Sequence, residues 1–152
     1  MSDVLQPLVE RLQICMRLTN SLAEVTNGEM LLSSLPGLRS NTIGQQFWCV
    51  NGARESYSSA LLAGKWGGFG NKLSEEALGS HAAVLAALRE SQSLVVQTCE
   101  QLGERLLDPS RLSLVARLLE HEASHHGQLI RYWYGLNIGF PKEFATRYSL
   151  DQ

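Results

Sequence analysis

Three of the four histidines of this 152-residue chain fall within six consecutive positions, at His121, His125 and His126. His121 and His125 are four residues apart, so on an α-helix their rings project from the same face, one turn apart. This is the spacing at which two imidazoles bind one metal ion. The pair therefore predicts a metal site on a helix, to which another element of the fold supplies a third ligand.

The same segment also fits the His-Glu-x-x-His pattern of zinc proteases, in which Glu122 would act as the general base. The extended form of that pattern requires a glycine and a histidine further along the helix, where this chain has Gln128 and Arg131. No alternating strand pattern that would hold a peptide substrate is found either. A protease is therefore not the function that we expect.

The elements that position these residues are predicted to be helices, because apolar residues recur every three or four positions along the chain. We predict four long helices, at residues 3–27, about 40–63, about 74–106 and 109–135. Since each carries one apolar stripe, we expect an all-α four-helix bundle that forms a single domain over residues 1–152. Residues 137–152 would then form a tail packed on the bundle.

The expected helix ends depend on local capping signals. Asn27 and the glycine after it are expected to end the first helix, and Asn41 or the serine before it to cap the second. Ser74, which two glutamates follow, would cap the third helix. Asp108-Pro109 would break the third helix and begin the fourth, since proline is tolerated in the first turn of a helix but not in its interior.

The composition excludes several classes of protein. A hydrophobic content of 44% excludes a disordered chain, and a formal net charge of −2 without runs of like charge argues against nucleic-acid or membrane partners. The chain has no signal-peptide pattern at its start and no apolar run near the roughly 18 residues of a membrane span. Cys15, Cys49 and Cys99 are too widely spaced for a disulfide framework. We therefore expect a cytoplasmic protein with reduced thiols.

On the fourth helix, His121 and His125 continue the apolar stripe and are predicted to point into the bundle. Burying two imidazoles costs free energy unless polar partners or a metal satisfy their nitrogens. His126 points about 100° away and is expected at the surface or behind the metal ligands. Gln128 returns to the stripe, where its amide could orient a histidine. Glu122 is a second candidate for that role, and an exposed helix position is its alternative.

Two segments of the chain are similar to those of a known family. The C-terminal segment is His121-Glu-Ala-Ser-His125-His126-Gly127-Gln128, followed by Gly135-Leu-Asn-Ile-Gly-Phe-Pro141. The other segment is Leu38-Arg-Ser-Asn-Thr-Ile43-Gly-Gln-Gln-Phe47-Trp-Cys49-Val, followed by Arg54-Glu-Ser-Tyr57. Together they resemble the DinB/YfiT-like superfamily, and in the number and order of helices the resemblance covers essentially the whole chain.

The resemblance implies a four-helix bundle with a long crossover, often dimeric, that binds a divalent metal between its second and fourth helices. Members of the family typically use one histidine of the second helix and two of the fourth. His121 and His125 match the pair on the fourth helix. Cys49 stands where the histidine of the second helix is expected.

Two interpretations of Cys49 are open. A thiolate with two imidazoles is an accepted ligand set for catalytic zinc, and sulfur favours zinc over nickel. In that case Cys49, His121 and His125 should approach one another within about 4 Å. Alternatively, Cys49 is a small buried residue of the kind that free cysteines commonly are, and the site has degenerated. Gln45 and Gln46 are weaker candidates, because an amide oxygen is a poor zinc ligand.

The resemblance implies a metal-dependent enzyme in which the metal activates water or a thiol cofactor, as in an S-transferase or a small hydrolase that acts on a small molecule. The cofactor would be a divalent metal, with zinc favoured and nickel second, and a low-molecular-weight thiol is a further candidate. The alternative is a non-catalytic dimeric bundle with a degenerate, metal-free site. In either case we expect a homodimer, since Trp133 and Tyr134 add aromatic surface beside the inward stripe.

Overall fold

The computed structural model of the protein describes residues 3–151, and this part of the chain is all-α and contains no strand. The all-α prediction is therefore confirmed. The four long helices are α1 (Leu5–Glu24), α3 (Ile43–Ala63), α4 (His81–Leu102) and α5 (Pro109–Gly135). The shorter elements are α2 (Gly28–Leu31), α6 (Lys142–Tyr148) and two 3-10 turns at Glu75–Ala77 and Gly103–Leu107.

The long helices pack so that α1 and α3 each contact both α4 and α5. Two clusters of buried apolar side chains fill the interior, one around Leu12, Leu61 and Val115 and the other around Phe47 and Trp133. The contact between α3 and α5 is the one that matters for the site, because it brings the segment around Cys49 next to the histidines of α5. None of the helices in residues 3–151 is long and apolar enough to cross a membrane.

Several predicted helix ends are wrong. Helix α1 ends at Glu24, and Asn27 instead caps α2, where its side chain accepts a hydrogen bond from the backbone N–H of Met30. The cap of α3 is Thr42, whose hydroxyl accepts from the N–H of Gln45 while the Gln45 side chain accepts from the N–H of Thr42. This reciprocal pair satisfies two N–H groups at once, which a single cap at Asn41 would not do.

The third long helix is shorter at both ends than predicted. Ser74 precedes only the turn Glu75–Ala77, and α4 begins after Ser80, whose side chain accepts from the N–H of Ala83. Gly79 separates the two elements, which is consistent with the poor helix propensity of glycine. The boundary at Asp108 is confirmed, since its carboxylate caps α5 and Pro109 occupies the first turn.

The tail is packed on the long helices, as predicted, and it contains the helix α6. Phe144 on this helix is fully buried, and α6 contacts α1. Tyr148, at the end of α6, is half-buried and reaches His126 on α5. The tail therefore covers a face of α5 that the four long helices leave open.

Candidate metal centre

Helices α3 and α5 bring together the three residues that the sequence selected as metal ligands. The Sγ of Cys49 lies 3.5 Å from Nε2 of His121. One potential ligand atom from each of Cys49, His121 and His125 lies within 4.8 Å of the other two. The distance between Cys49 and His121 meets the predicted 4 Å approach, and the full set is confined within 4.8 Å. Since zinc binds sulfur at about 2.3 Å and nitrogen at about 2.0 Å, a thiolate and an imidazole on one tetrahedral zinc lie about 3.5 Å apart.

His125 is oriented for metal binding by a residue of α3. The side chain is buried, and its Nδ1 donates to Oε1 of Gln46, at 2.6 Å. This hydrogen bond fixes the tautomer and leaves Nε2 with a free lone pair. A metal-bound histidine almost always makes such a second hydrogen bond through its other nitrogen.

His121 is only partly satisfied by the protein. Its Nε2 contacts Cys49, but its Nδ1 is buried and has no hydrogen-bond partner in residues 3–151. A buried polar atom without a partner is destabilising, and such atoms are rare in native proteins. The His121 and His125 rings are 4.6 Å apart between centroids and tilted by 54°. The two rings are therefore close but not stacked face to face. The Nδ1 of His121 could still accept or donate one more hydrogen bond.

The protonation states also suit a metal. Burial lowers the pKa of His121, and burial with a smaller contribution from His121 lowers the pKa of His125 to about 4. Both imidazoles are therefore neutral near pH 7, which is the form that binds metals. Burial raises the pKa of the Cys49 thiol, so metal binding would have to displace its proton.

Glu122 is neither exposed nor hydrogen-bonded to the ligand histidines. It is fully buried and forms a salt bridge with Arg54, at 2.6 Å between Nε and Oε1, and its other oxygen accepts from Thr19. Burial alone would raise the pKa of Glu122, but the Arg54 charge and the hydrogen bonds from Arg54 and Thr19 outweigh it and lower that pKa. Among the described residues Glu122 makes no hydrogen bond to His121 or His125, and through Thr19 it is linked to His126 instead. A carboxylate held this way is also unsuited to act as a protease base.

His126 was expected at the surface or behind the ligands, and it is fully buried on a face of α5 about 100° from His125. Its Nε2 lies 2.8 Å from the Thr19 hydroxyl and its Nδ1 lies 2.6 Å from the Tyr148 hydroxyl. Because Thr19 donates its proton to Glu122, His126 donates to Thr19 and accepts from Tyr148. Burial lowers the pKa of His126 to about 4, so the ring is neutral.

Gln128 does not take the orienting role that the sequence suggested. It is exposed and forms no hydrogen bond to either ligand histidine in the described part of the chain, whereas Gln46 does. Gln46 precedes Cys49 by about one helical turn, so it lies on the same face of α3. That spacing is the signal that could have identified it. The two glutamines line one cleft beside the site, with a volume of about 500 Å³.

Comparison with protein-family models, with curated proteins and with solved structures gave no match. The fold and the site together define an all-α protein with a Cys49, His121 and His125 group that could hold a metal ion. The similarity to the DinB/YfiT-like superfamily consequently depends on the residues quoted from the sequence.

Proposed function

We propose that this protein binds a divalent metal, zinc in preference to nickel, through Cys49, His121 and His125, and that it is a metal-dependent enzyme. The observation that carries the proposal is the approach of three potential ligand atoms from two helices to within 4.8 Å. The hydrogen bond between Gln46 and His125 adds support, since a metal-bound histidine usually makes such a bond through its other nitrogen.

The ligand set would leave a place for a substrate. Three protein ligands are typical of catalytic zinc, where water or substrate takes the fourth position. Cys49 and His121 are both half-buried, so solvent reaches this side of the site. A metal there would lower the pKa of bound water or of a low-molecular-weight thiol, which is the chemistry of a small hydrolase or an S-transferase.

We also propose that the four long helices form a DinB-like four-helix bundle with a long crossover, and that the protein is a homodimer. The quoted sequence segments support the family, with Cys49 replacing its helix-two histidine. Several large apolar side chains are exposed, among them Leu38, Trp66 and Tyr134, and they suit a contact with a second copy. Trp133, expected as part of that surface, is fully buried in the core.

The second candidate function is a non-catalytic dimeric bundle whose site holds no metal. One observation favours it. Cys49 is within hydrogen-bond distance of His121, and His125 is hydrogen-bonded to Gln46. Several polar atoms of the site therefore have partners within the protein without a metal. The two candidates differ in one measurable property, which is stoichiometric metal binding.

Metal analysis of the purified protein, before and after incubation with zinc, separates them. We expect one zinc per chain, and with cobalt an intense thiolate-to-cobalt charge-transfer band. Cys49→Ala should abolish that band, and His121→Ala or His125→Ala should lower the zinc content. His81→Ala is the matched control, because His81 bonds to the Ala23 carbonyl away from the site. Absence of bound zinc in the parent protein, or equal loss in the control, would reject the metal centre.

An assay of the metal-loaded and metal-stripped protein tests the enzyme proposal separately. Consumption of glutathione in the presence of an activated electrophile reports S-transfer, and release of a carboxylic acid from simple esters and amides reports hydrolysis. Activity should disappear on chelation and return with zinc. A protein that binds zinc but turns over none of these substrates would favour the binding function.

A further inference from the structure

A cleft beside the candidate metal centre has an unusual charge. It is enclosed by the connection that precedes α3, by the start of α3 and by α5, and its volume is about 500 Å³. Its lining includes Arg39 and Arg131, neutral hydrogen-bonding side chains such as Ser40 and Gln128, and no aspartate or glutamate. The cleft is therefore positively charged in a protein whose formal net charge is −2.

Both arginines of the cleft have unused donors. Arg39 and Arg131 are both exposed, and neither forms a salt bridge or a side-chain hydrogen bond within residues 3–151. A guanidinium group presents five N–H donors in a planar arrangement that matches a carboxylate or a phosphate. Two such groups facing one cleft suit an anionic ligand.

The walls of the cleft are held in place by hydrogen bonds. The Tyr132 hydroxyl donates to the Asn41 carbonyl, at 2.6 Å, and so ties α5 to the segment before α3. The backbone N–H of Leu35 donates to the Ser40 hydroxyl, which braces the same segment. The cleft is therefore formed before any ligand arrives, which lowers the entropic cost of binding.

The cleft adjoins the metal centre through a single shared residue. Gln46 lines the cleft and also bonds to His125. A small molecule bound at the two arginines would therefore lie against Gln46, the residue that orients His125. Binding groups remote from a reacting centre can position a substrate in this way.

We propose that Arg39 and Arg131 form an anion subsite, and that the substrate of the metal centre carries a carboxylate or phosphate group. The statement about the substrate rests on the proposed function, whereas anion binding by the two arginines does not require the metal. Guanidinium groups recognise carboxylates and phosphates in the same way. Titration with acetate, succinate and inorganic phosphate distinguishes the two classes.

The test is a calorimetric or NMR titration of metal-stripped protein with each probe at constant ionic strength. We expect saturable binding, tightest for the class to which the substrate belongs. Arg39→Gln and Arg131→Gln should each weaken it about tenfold, which corresponds to the loss of one charge-assisted hydrogen-bonding partner. The control is Arg11→Gln, which removes the same charge from an exposed position outside the cleft. Unchanged binding in both cleft variants, no saturable binding of any probe, or equal weakening in the control would overturn the proposal.

Two further variants separate this inference from the metal centre. His121→Ala should lose zinc and still bind the anion, and the double variant Arg39→Gln/Arg131→Gln should retain zinc and lose the anion. If the double variant loses zinc as well, the arginines act on the metal centre as a whole and the separate subsite is refuted.

Discussion

Arg54 of α3 and Glu122 of α5 form a salt bridge in which neither side chain is accessible to solvent, with Nε and Oε1 2.6 Å apart. A second guanidinium N–H donates to the other Glu122 oxygen, and the remaining donors bond to Asn20 and to the carbonyls of Met16 and Leu88. The pair therefore links α3 and α5 with α1 and α4, next to the proposed metal ligand His121. Such a pair is costly to break from one side, because the remaining charge stays buried.

We predict that Arg54→Met lowers the free energy of unfolding by about 3–5 kcal/mol, since it leaves the Glu122 carboxylate buried without its partner. The double variant Arg54→Met/Glu122→Leu should recover much of that loss, because no charge is then buried. Urea denaturation measures both. The control Arg89→Met removes a surface pair with Glu24 and should cost at most about 1 kcal/mol. A single variant no worse than this control would contradict the prediction.

We predict that Gln46→Leu weakens zinc binding about 10–100-fold, because the hydrogen bond that orients His125 is lost. Competition with a chelator of known affinity measures the change. Gln128→Leu is the matched control, since Gln128 is exposed and makes no such bond among the described residues. Equal affinities of the two variants would show that Gln46 does not position the ligand.

We predict that Cys49→His binds metal with a shifted preference, because three imidazoles favour nickel and cobalt more than a thiolate set does. Metal content and melting temperature are measured together for the variant and the parent. Bound metal with unchanged or higher stability supports Cys49 as a ligand. If Cys49 only fills space, the larger ring should cost roughly 1–3 kcal/mol without metal uptake, and the enzyme proposal should then be abandoned.

We predict that the metal-stripped protein loses stability as the pH falls from about 6.5 toward 4. His126 has its pKa lowered by burial to about 4, so the proton binds the unfolded chain more tightly than the folded one. The contribution of His126 to the free energy of unfolding is therefore complete above the unfolded pKa of about 6.5 and is lost as the pH falls below it. At pH 4 the loss should be roughly 1–3 kcal/mol. Denaturation at a series of pH values should show a shallower slope for His126→Gln than for the parent. Identical slopes would contradict this assignment.

We predict a homodimer, because large apolar side chains such as Trp66 and Tyr134 remain exposed. Light scattering at micromolar concentration should give about twice the chain mass of 16.8 kDa. Tyr134→Ser should shift the population toward the monomer if this surface forms the contact. A parent protein that is monomeric at every concentration would refute the dimer.

The features that sequence predicted correctly are those that depend on short spacings. The interval between His121 and His125 places both rings on one face of a helix, whatever the surrounding fold. The resemblance stated from the sequence selected Cys49 as a third ligand, and Cys49 lies 3.5 Å from His121 across α3 and α5. The break at Asp108 was equally local, since an aspartate before a proline both caps and starts a helix.

The features that it missed depend on which helices cover which face. His126 lies about 100° from the ligand face, a direction that a bundle of four helices can leave open, but α1 and α6 close it here. Glu122 looked exposed for the same reason, because its partner Arg54 is distant in sequence. Gln46 and Gln128 are chemically equivalent, and only the alignment of α3 along α5 decides which of them meets His125.

The two adjacent histidines of α5 are anchored in different directions. His125 is bonded to Gln46 on α3, and His126 is bonded to Thr19 on α1 and to Tyr148 on α6. Rotation of α5 about its long axis would stretch one of these hydrogen bonds, so the two sets of bonds together fix the rotational orientation of the helix. The imidazoles that would bind a metal ion are therefore already oriented in the folded protein. Metal binding would not require the further entropic cost of ordering α5.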